Sequence, residues 1–130
     1  MAGRVASVSL FLIGMLIMAL SNLTTFFHLT PVDNFLATGL GAFGLVLCVL
    51  AGFVLLPMGW EDNAPGVRAL YAFTLFLAGL FDMSVGLFTI FFHITNVDNA
   101  TAIGGLAGGL ILVLVAVAMV PGAPTATAES

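Results

Sequence analysis

Charged residues are almost absent from this sequence. Of its 130 residues, 6 are acidic and 2 are basic, and the basic ones are Arg4 and Arg68; there is no lysine. A soluble domain carries roughly a quarter charged residues, whereas this chain has 6% and a mean hydropathy of +1.26. The composition excludes a soluble globular protein. The absence of a basic run excludes nucleic acid as a partner.

Cysteine is equally scarce, since Cys48 is the single one. One cysteine cannot form an intrachain disulfide or a cysteine-based metal site. Inside an apolar run it is expected to pack as a small hydrophobic residue. The sequence also contains no nucleotide-binding loop, no Ser–His–Asp set and no zinc-ligand spacing. We therefore expect that the protein is not an enzyme.

Long apolar runs make up most of the chain. Each reaches the roughly 20 helical residues that cross the hydrocarbon core of a bilayer. The four runs cover about residues 5–28, 31–56, 67–93 and 97–120. Backbone polar groups in lipid must be satisfied within the segment, and the runs do not alternate as barrel strands do. The sequence predicts an all-α membrane protein with four transmembrane helices, surrounded by membrane lipid.

The sequence repeats itself at a distance of 65 residues. FFHLTPVDN at 26–34 returns as FFHITNVDN at 91–99, and aligning residues 11–52 with 76–117 leaves 19 of 42 positions identical. A composition rich in leucine does not produce a shared HxTxVDN motif by chance. We interpret the chain as an internal duplication in which each copy is one structural unit.

Each copy is predicted to be a tight helical hairpin. The first covers residues 1–57, a polar turn covers 58–66, the second hairpin covers 67–120, and a disordered tail covers 121–130. Because each unit crosses twice, the two are parallel repeats about a pseudo-twofold axis along the membrane normal. Both arginines lie on the side of the termini, so the positive-inside rule predicts a multi-pass cell-membrane protein with both termini in the cytoplasm.

The repeated hairpin tips carry helix-start signals. Thr30 and Thr95 are predicted N-caps, and Asp33 and Asp98 follow three residues later, where a capping-box carboxylate belongs. A carboxylate in the first turn also complements the positive end of the helix dipole. The alternative is that the two aspartates are metal ligands at the membrane surface.

His28 and His93 are the two histidines of the chain and hold equivalent places in the repeats. If they approach each other, they could bind a haem iron axially, or a divalent metal together with Asp33 and Asp98. The simpler expectation is that each histidine ends its helix and bonds the last free carbonyls, with no cofactor. No haem-attachment spacing is present in the sequence.

Asp82 is the least expected residue of the apolar runs. It lies 14 residues after Arg68 and 11 before His93, close to the middle of the third predicted helix. A carboxylate at that depth costs about 2.5–3.5 kcal/mol on insertion scales, and it usually faces a bundle interior or a water-filled path. The equivalent residue of the first repeat is Ile17. The two copies have therefore diverged at this position.

Polar residues between Asp82 and the hairpin tips allow two interpretations. At helical spacing they form a stripe on the first and third helices. The predicted intramembrane polar path consists of Asp82, Thr89, His93, Thr24 and His28. In the functional interpretation the stripe carries protons or cations through an oligomer. In the structural one, small and hydroxyl residues let helices pack closely, and Asp82 bonds a neighbouring helix or subunit.

Glycines are concentrated in the second and fourth predicted helices. The predicted helix-packing positions are Gly41, Gly104, Gly105, Gly108 and Gly109. Small residues four apart permit close contact between membrane helices. Glycine on both sides of the fourth helix exceeds what one neighbour needs, which indicates contact with another chain.

The stretch TPVDNFLATGLGAFGLVL, and more loosely TNVDNATAIGGLAGGLILVL, resembles a motif of a family of small, uncharacterised prokaryotic four-helix membrane proteins. In that family a Thr…Asp-Asn pair opens a helix that continues through Leu-Gly and small residues. The matching positions here are Thr30, Asp33, Asn34, Leu40 and Gly41. A histidine that the family usually carries shortly after Asp-Asn is absent from this sequence. The resemblance implies a four-helix fold and supplies no activity.

Three functions are compatible with these patterns. The first is a structural or accessory subunit that packs against other membrane subunits or against copies of itself. The second is an oligomeric proton or cation carrier or channel that uses Asp82 and the stripe of threonines and histidines. The third is a bis-histidine protein that binds haem or a metal.

Overall fold

The computed structural model describes residues 2–28, 33–56 and 65–120. Four helices are present there: α1 (Ala2–Phe27), α2 (Asn34–Val49, continued by a π-helical turn, Leu50–Leu55), α3 (Pro65–Phe92) and α4 (Asn99–Met119). All four are long and apolar enough to cross a membrane, α2 together with its π-helical turn. The predicted all-α four-helix membrane fold is confirmed. Most of the predicted polar turn and the whole predicted tail lie outside the described residues.

The helices carry apolar side chains on their outer faces as well as inside the bundle. Leu12, Leu77 and Leu114 are 61%, 48% and 60% exposed, and they lie on three different helices. A helix that is apolar all round is either buried in protein or surrounded by lipid. Because these leucines are not covered by the described chain, lipid is the environment in which this surface is stable.

A reciprocal pair of glycines closes each hairpin. A Cβ atom on Gly14 would lie 2.6 Å from the Gly44 carbonyl oxygen, and one on Gly44 would lie 2.7 Å from that of Gly14. In the second hairpin, a Cβ on Gly79 would lie 2.7 Å from the Gly109 oxygen, and the reverse distance is 2.6 Å. Side chains larger than hydrogen would separate these backbones. Both hairpins therefore have the same close contact at equivalent positions.

Nearer the hairpin tips, each hairpin packs a larger residue of one helix against a glycine of the other helix. Ser21 of α1 lies against Gly41 of α2, and its hydroxyl donates a hydrogen bond to the Ala37 carbonyl. The equivalent residues of the second hairpin are Gly86 and Leu106, and a Cβ on Gly86 would lie 2.9 Å from the Leu106 nitrogen. The larger residue is on the first helix in one hairpin and on the second helix in the other. In both cases the facing glycine lets the helices lie close together.

The first and third helices run in the same direction. The Phe11 and Tyr71 rings stack with centroids 3.9 Å apart and planes 3° from parallel. Eleven residues further along each helix, the Asn22 side chain bonds the Asp82 carboxyl group. Since the sequence offset is the same at both contacts, α1 and α3 are parallel. The two hairpin tips consequently lie at the same end of the bundle, which we call the tip end. We call the opposite end, where α1 and α3 begin, the terminus end.

A buried polar cluster joins three elements near the terminus end. The Ser7 hydroxyl donates to the Ala51 carbonyl at 3.0 Å and lies 2.9 Å from the Tyr71 hydroxyl. Because Ser7 has a single hydroxyl proton, Tyr71 must donate in the second bond. Ala51 belongs to the π-helical turn that continues α2. These two bonds hold α1, α3 and the π-helical turn together without any charged residue.

The apolar core fills the terminus half of the bundle. Its buried members are Phe11, Met18, Cys48, Ala51, Leu56, Tyr71, Ala72, Leu75, Leu112, Ala116 and Met119. The second and fourth helices meet there, because the Met119 side chain packs on Gly52 of the π-helical turn. Cys48 is buried as expected, with its thiol 3.6 Å from the Phe11 carbonyl.

Alanine at one of the paired glycines tests the close contact. We expect Gly79→Ala to lower the free energy of unfolding by about 1–3 kcal/mol, because the new Cβ meets a backbone oxygen that cannot move without separating the helices. Gly39→Ala is the control, since no described atom outside its own stretch of helix lies within 4 Å of its Cβ position. Its stability should be unchanged or slightly higher. Titration with SDS in mixed micelles measures the free energy of unfolding of both variants. Equal losses of stability would contradict the close backbone contact at Gly79.

Candidate functional site: an acidic cleft between α2 and α4

A cleft of about 620 Å³ separates α2 from α4 in the tip half of the bundle. Its lining runs from Phe35 to Leu45 on α2 and from Ala100 to Leu112 on α4. At 1.5 Å per residue, the α4 wall is about 18 Å long. Side chains of α1 form its floor, and α3 contributes Asp82. The volume is within the range of about 300–1,000 Å³ typical of ligand sites.

Four of the five predicted helix-packing glycines line this cleft, namely Gly41, Gly104, Gly105 and Gly108. Outside its own stretch of helix, no described atom lies within 4 Å of the Cβ position of Gly104 or of Gly108. The other three pack inside the chain: Gly41, Gly105 and Gly109. The bare α4 wall therefore offers its backbone to whatever enters the cleft, whereas the remaining glycines hold the bundle together.

Asp82 lies at the floor of the cleft, and one of its carboxyl oxygens has no hydrogen-bond partner among the described residues. The residue is 6% exposed, and the Asn22 side chain of α1 bonds its carboxyl group. The Oδ1 atom is buried and has no hydrogen-bond partner among the described residues. A buried acceptor without a donor is costly. The site thus retains one strong acceptor that the described residues do not satisfy.

Asn22 is the residue of this site that sequence reasoning missed. It sits in the first predicted helix, and its repeat counterpart is Leu87, just as the counterpart of Asp82 is Ile17. Two polar residues that each replace an apolar counterpart in the other repeat are candidates for a bonded pair. That signal was available in the alignment of the two copies.

Hydroxyl groups provide the rest of the polar lining. They belong to Ser21 and Thr25 of α1, Thr38 of α2 and Thr101 of α4. The Ser21 hydroxyl is bonded to the Ala37 carbonyl, so it is committed to the first hairpin. The remainder of the lining is apolar or glycine. The cleft can therefore receive an apolar group that carries a positive charge or a hydrogen-bond donor at the depth of Asp82.

The tip-side part of the predicted polar path on α3 faces α4 and not the cleft. Gly86 packs against the Ala102 carbonyl, with a Cβ position 2.6 Å from that oxygen. Thr89 is fully buried, and its hydroxyl lies 3.0 Å from the Thr95 hydroxyl. These contacts attach α3 to the turn that follows it and to the first residues of α4. The structure brings Asp82 together with Asn22 rather than with Thr89.

The two histidines end α1 and α3 in a left-handed backbone conformation. Their φ angles are 55° at His28 and 53° at His93. Their backbone N–H groups donate to the carbonyls of Thr24 and Thr89, each at 3.0 Å. This conformation costs roughly 1–2 kcal/mol for a residue other than glycine. Both histidines are exposed, whereas Thr24 is buried.

A haem or metal site built from these histidines stays a prediction. Within the described residues, no group of three or more His, Cys, Asp or Glu side chains is arranged to hold a metal ion. The tentative ligands were His28, His93, Asp33 and Asp98. Nothing in the geometry of the described chain favours a cofactor at these positions over the helix-end role of the histidines.

The two aspartates of the VDN motifs are themselves the N-caps of α2 and α4. The Asp33 carboxylate accepts a hydrogen bond from the Leu36 backbone N–H at 2.8 Å. The Asp98 carboxylate accepts one from the Thr101 backbone N–H, also at 2.8 Å. Each satisfies an amide that the first helical turn leaves free. The same cap opens the second helix of both hairpins.

The prediction that Thr95 is an N-cap was wrong. Asp98 holds that position, and the Thr95 hydroxyl bonds Thr89 across the turn. A carboxylate accepts a stronger, charge-assisted hydrogen bond from an amide than a hydroxyl does. Starting the helix at the aspartate also frees the threonine to attach the turn to α3. Its counterpart Thr30 lies outside the described residues.

Comparisons with models of protein families, with curated proteins and with solved structures found no match. The resemblance carried by the TPVDN stretch therefore stays a prediction. What the cleft does has to be argued from the residues that line it and from the way the bundle holds them.

Acid should weaken the cap of α4. Hydrogen bonds from the Thr101 side chain and backbone lower the pKa of Asp98 below its ordinary value. A lowered folded-state pKa adds stability that is fully present above the unfolded pKa of about 3.9 and is lost as pH falls through the folded value. We expect the thermal midpoint of the wild type to fall more steeply between about pH 5 and pH 2 than that of Asp98→Asn, whose amide caps without titrating. Parallel pH profiles would contradict this account.

Proposed function

We propose that this protein is an accessory or structural subunit that holds another membrane component in the cleft between α2 and α4. The observation that carries the proposal is the combination of a bare wall and an unused acceptor. Gly104 and Gly108 expose backbone that permits a close approach. Asp82 lines the cleft, and its buried Oδ1 atom has no partner among the described residues. An ionisable residue within a membrane helix usually pairs with another polar group or marks a functional site.

The rest of the bundle supports a binding role for the cleft. The glycine pairs hold each hairpin closed, and the Ser7–Tyr71 bond joins the two hairpins. At the terminus end, Met119 packs on Gly52 and brings α4 against the continuation of α2. The cleft therefore begins at the tips and ends against the core. Within one chain this shape favours holding a partner over conducting an ion across the membrane.

The proposal includes a topology. We infer that the chain is a duplicated hairpin, because the same glycine contacts recur at equivalent positions. With Arg4 and Arg68 at the terminus end, the positive-inside rule favours cytoplasmic termini and tips outside the cell. In that orientation the cleft lies in the outer half of the cell membrane, and its occupant enters from the bilayer or from the outer surface.

Site-specific cross-linking in native membranes tests the subunit function. A photoreactive amino acid replaces Phe35 or Ile111 in the full chain, because both line the cleft, are exposed and already carry large side chains. The products are identified by mass spectrometry. We expect both positions to yield an adduct with the same polypeptide. Leu12 and Leu77 are control positions, since both are exposed and outside the cleft. Adducts with lipid alone, or the same products from the control positions, would contradict the proposal.

Asp82 also favours a second function, an oligomeric carrier or channel for protons or cations. Its buried and unbonded Oδ1 atom is a ready acceptor for either. The threonines and histidines of the predicted path give this function less support, because Thr89 is bonded to Thr95 and both histidines end helices at the tips. A carrier would thus use the cleft, closed by further copies of the chain.

Flux measurements distinguish the two functions. The full chain and its Asp82→Asn variant are reconstituted in vesicles, with Asp33→Asn as a variant that removes an acidic group outside the cleft. For the subunit function we expect the same proton and cation flux in all three samples. A flux that is lost in Asp82→Asn and retained in Asp33→Asn would establish the carrier function instead.

A further inference from the structure

We propose that the cleft receives a transmembrane helix of a different protein, and that this helix carries a lysine or arginine that pairs with Asp82. The inference rests on the proposed subunit function and names the chemistry of the partner. It depends on three properties of the described chain, namely the shape of the cleft, the unused acceptor at its floor and the positions of the arginines.

The cleft has the shape of a groove for one side of a helix. Its walls follow α2 from Phe35 to Leu45, about 15 Å, and α4 from Ala100 to Leu112, about 18 Å. The longer wall corresponds to about three helical turns. A helix lying between the walls would contact them over that length. Because the groove runs along the two helices that border it, it suits an elongated partner better than a compact one.

The floor of the groove requires a donor from the partner. Asn22 bonds the Asp82 carboxyl group, and Oδ1 has no partner among the described residues although the side chain is almost completely buried. A lysine or arginine donates to a carboxylate through a charge-assisted bond. Opposite charges also attract each other far more strongly in an apolar interior than in water. A wholly apolar partner would leave the acceptor unsatisfied.

A second copy of this chain cannot provide the cation. It has no lysine, and Arg68 lies 14 residues before Asp82 on α3, which is about 21 Å along the helix. Arg4 lies 18 residues before Asn22 on α1, about 27 Å away. A parallel copy carries both arginines near the same membrane surface, and an antiparallel copy carries them near the opposite one. Since neither arrangement brings an arginine to the depth of Asp82, the partner is a different polypeptide.

Synthetic transmembrane peptides test the inference directly. The probe is a Leu/Ala helix with glycines on one face and one central lysine, and its matched control has methionine in place of the lysine. Binding to the full-length protein in phosphatidylcholine vesicles is measured by energy transfer between fluorescent labels. We expect the wild type to bind the lysine peptide at least 10-fold more tightly than the methionine peptide. In Asp82→Asn that ratio should fall close to one.

Two results would overturn the inference. One is equal binding of the two peptides by the wild type, and the other is a lysine preference that Asp82→Asn retains. If Asp82→Asn fails to fold, Gly108→Leu replaces it. This change adds a side chain to the groove wall at a Cβ position with no described atom within 4 Å outside its own stretch of helix. It should weaken binding of the lysine peptide at least 10-fold. Undiminished binding would equally overturn the inference.

A small amphiphilic amine is the competing occupant, and dodecylamine is its probe. Asp82-dependent binding of dodecylamine without binding of the lysine peptide would make the cleft a small-ligand site and overturn the inference. The cross-linking experiment keeps the two proposals separate. A polypeptide adduct from residues 35 and 111 without a lysine preference contradicts the basic partner alone, whereas adducts with lipid only contradict the subunit function as well.

Discussion

Backbone contact between paired glycines is the constraint on which this bundle depends. In lipid, apolar side chains gain little by leaving their surroundings, so helix association relies on close packing and on hydrogen bonds. The pairs Gly14–Gly44 and Gly79–Gly109 bring the helices of each hairpin to the same short separation. Once both hairpins are closed in this way, the main remaining freedom is how one hairpin lies on the other. Contacts around Tyr71 fix that relation near the terminus end.

The acidic pair at the cleft exists because two similar hairpins differ at a few positions. Asp82 and Asn22 bond each other, whereas their counterparts Ile17 and Leu87 are apolar. The described residues therefore hold one such acidic pair, and its counterpart pair is apolar. The duplication that we propose accounts for the shared frame, and differences at one contact between the hairpins account for the chemistry. This division explains why the packing glycines recur in both repeats while the acidic pair does not.

Much of the fold could be predicted from the sequence, and little of the site. Length and apolar composition are sufficient to predict four membrane helices, because lipid leaves few other states open to the backbone. The cleft depends instead on which helix faces meet, and Gly104 and Gly109 look alike in sequence although one is open and the other packed. The role of Thr95 was misjudged because spacing alone does not decide between a hydroxyl and a carboxylate cap. Nothing in the sequence indicated the left-handed conformation of His93.

The energetics of Asp82 argue that the chain by itself is not its final environment. Placing a carboxylate near the bilayer centre costs about 2.5–3.5 kcal/mol. The bond from Asn22 is of the kind that returns about 0.5–1.5 kcal/mol, or up to about 3 kcal/mol when the acceptor is charged. Oδ1 stays without a partner in the described chain, so this oxygen contributes nothing to that offset. The isoleucine at position 17 shows that the repeat accommodates an apolar side chain at the equivalent place. The lysine or arginine of the proposed partner helix would supply the donor that Oδ1 lacks among the described residues.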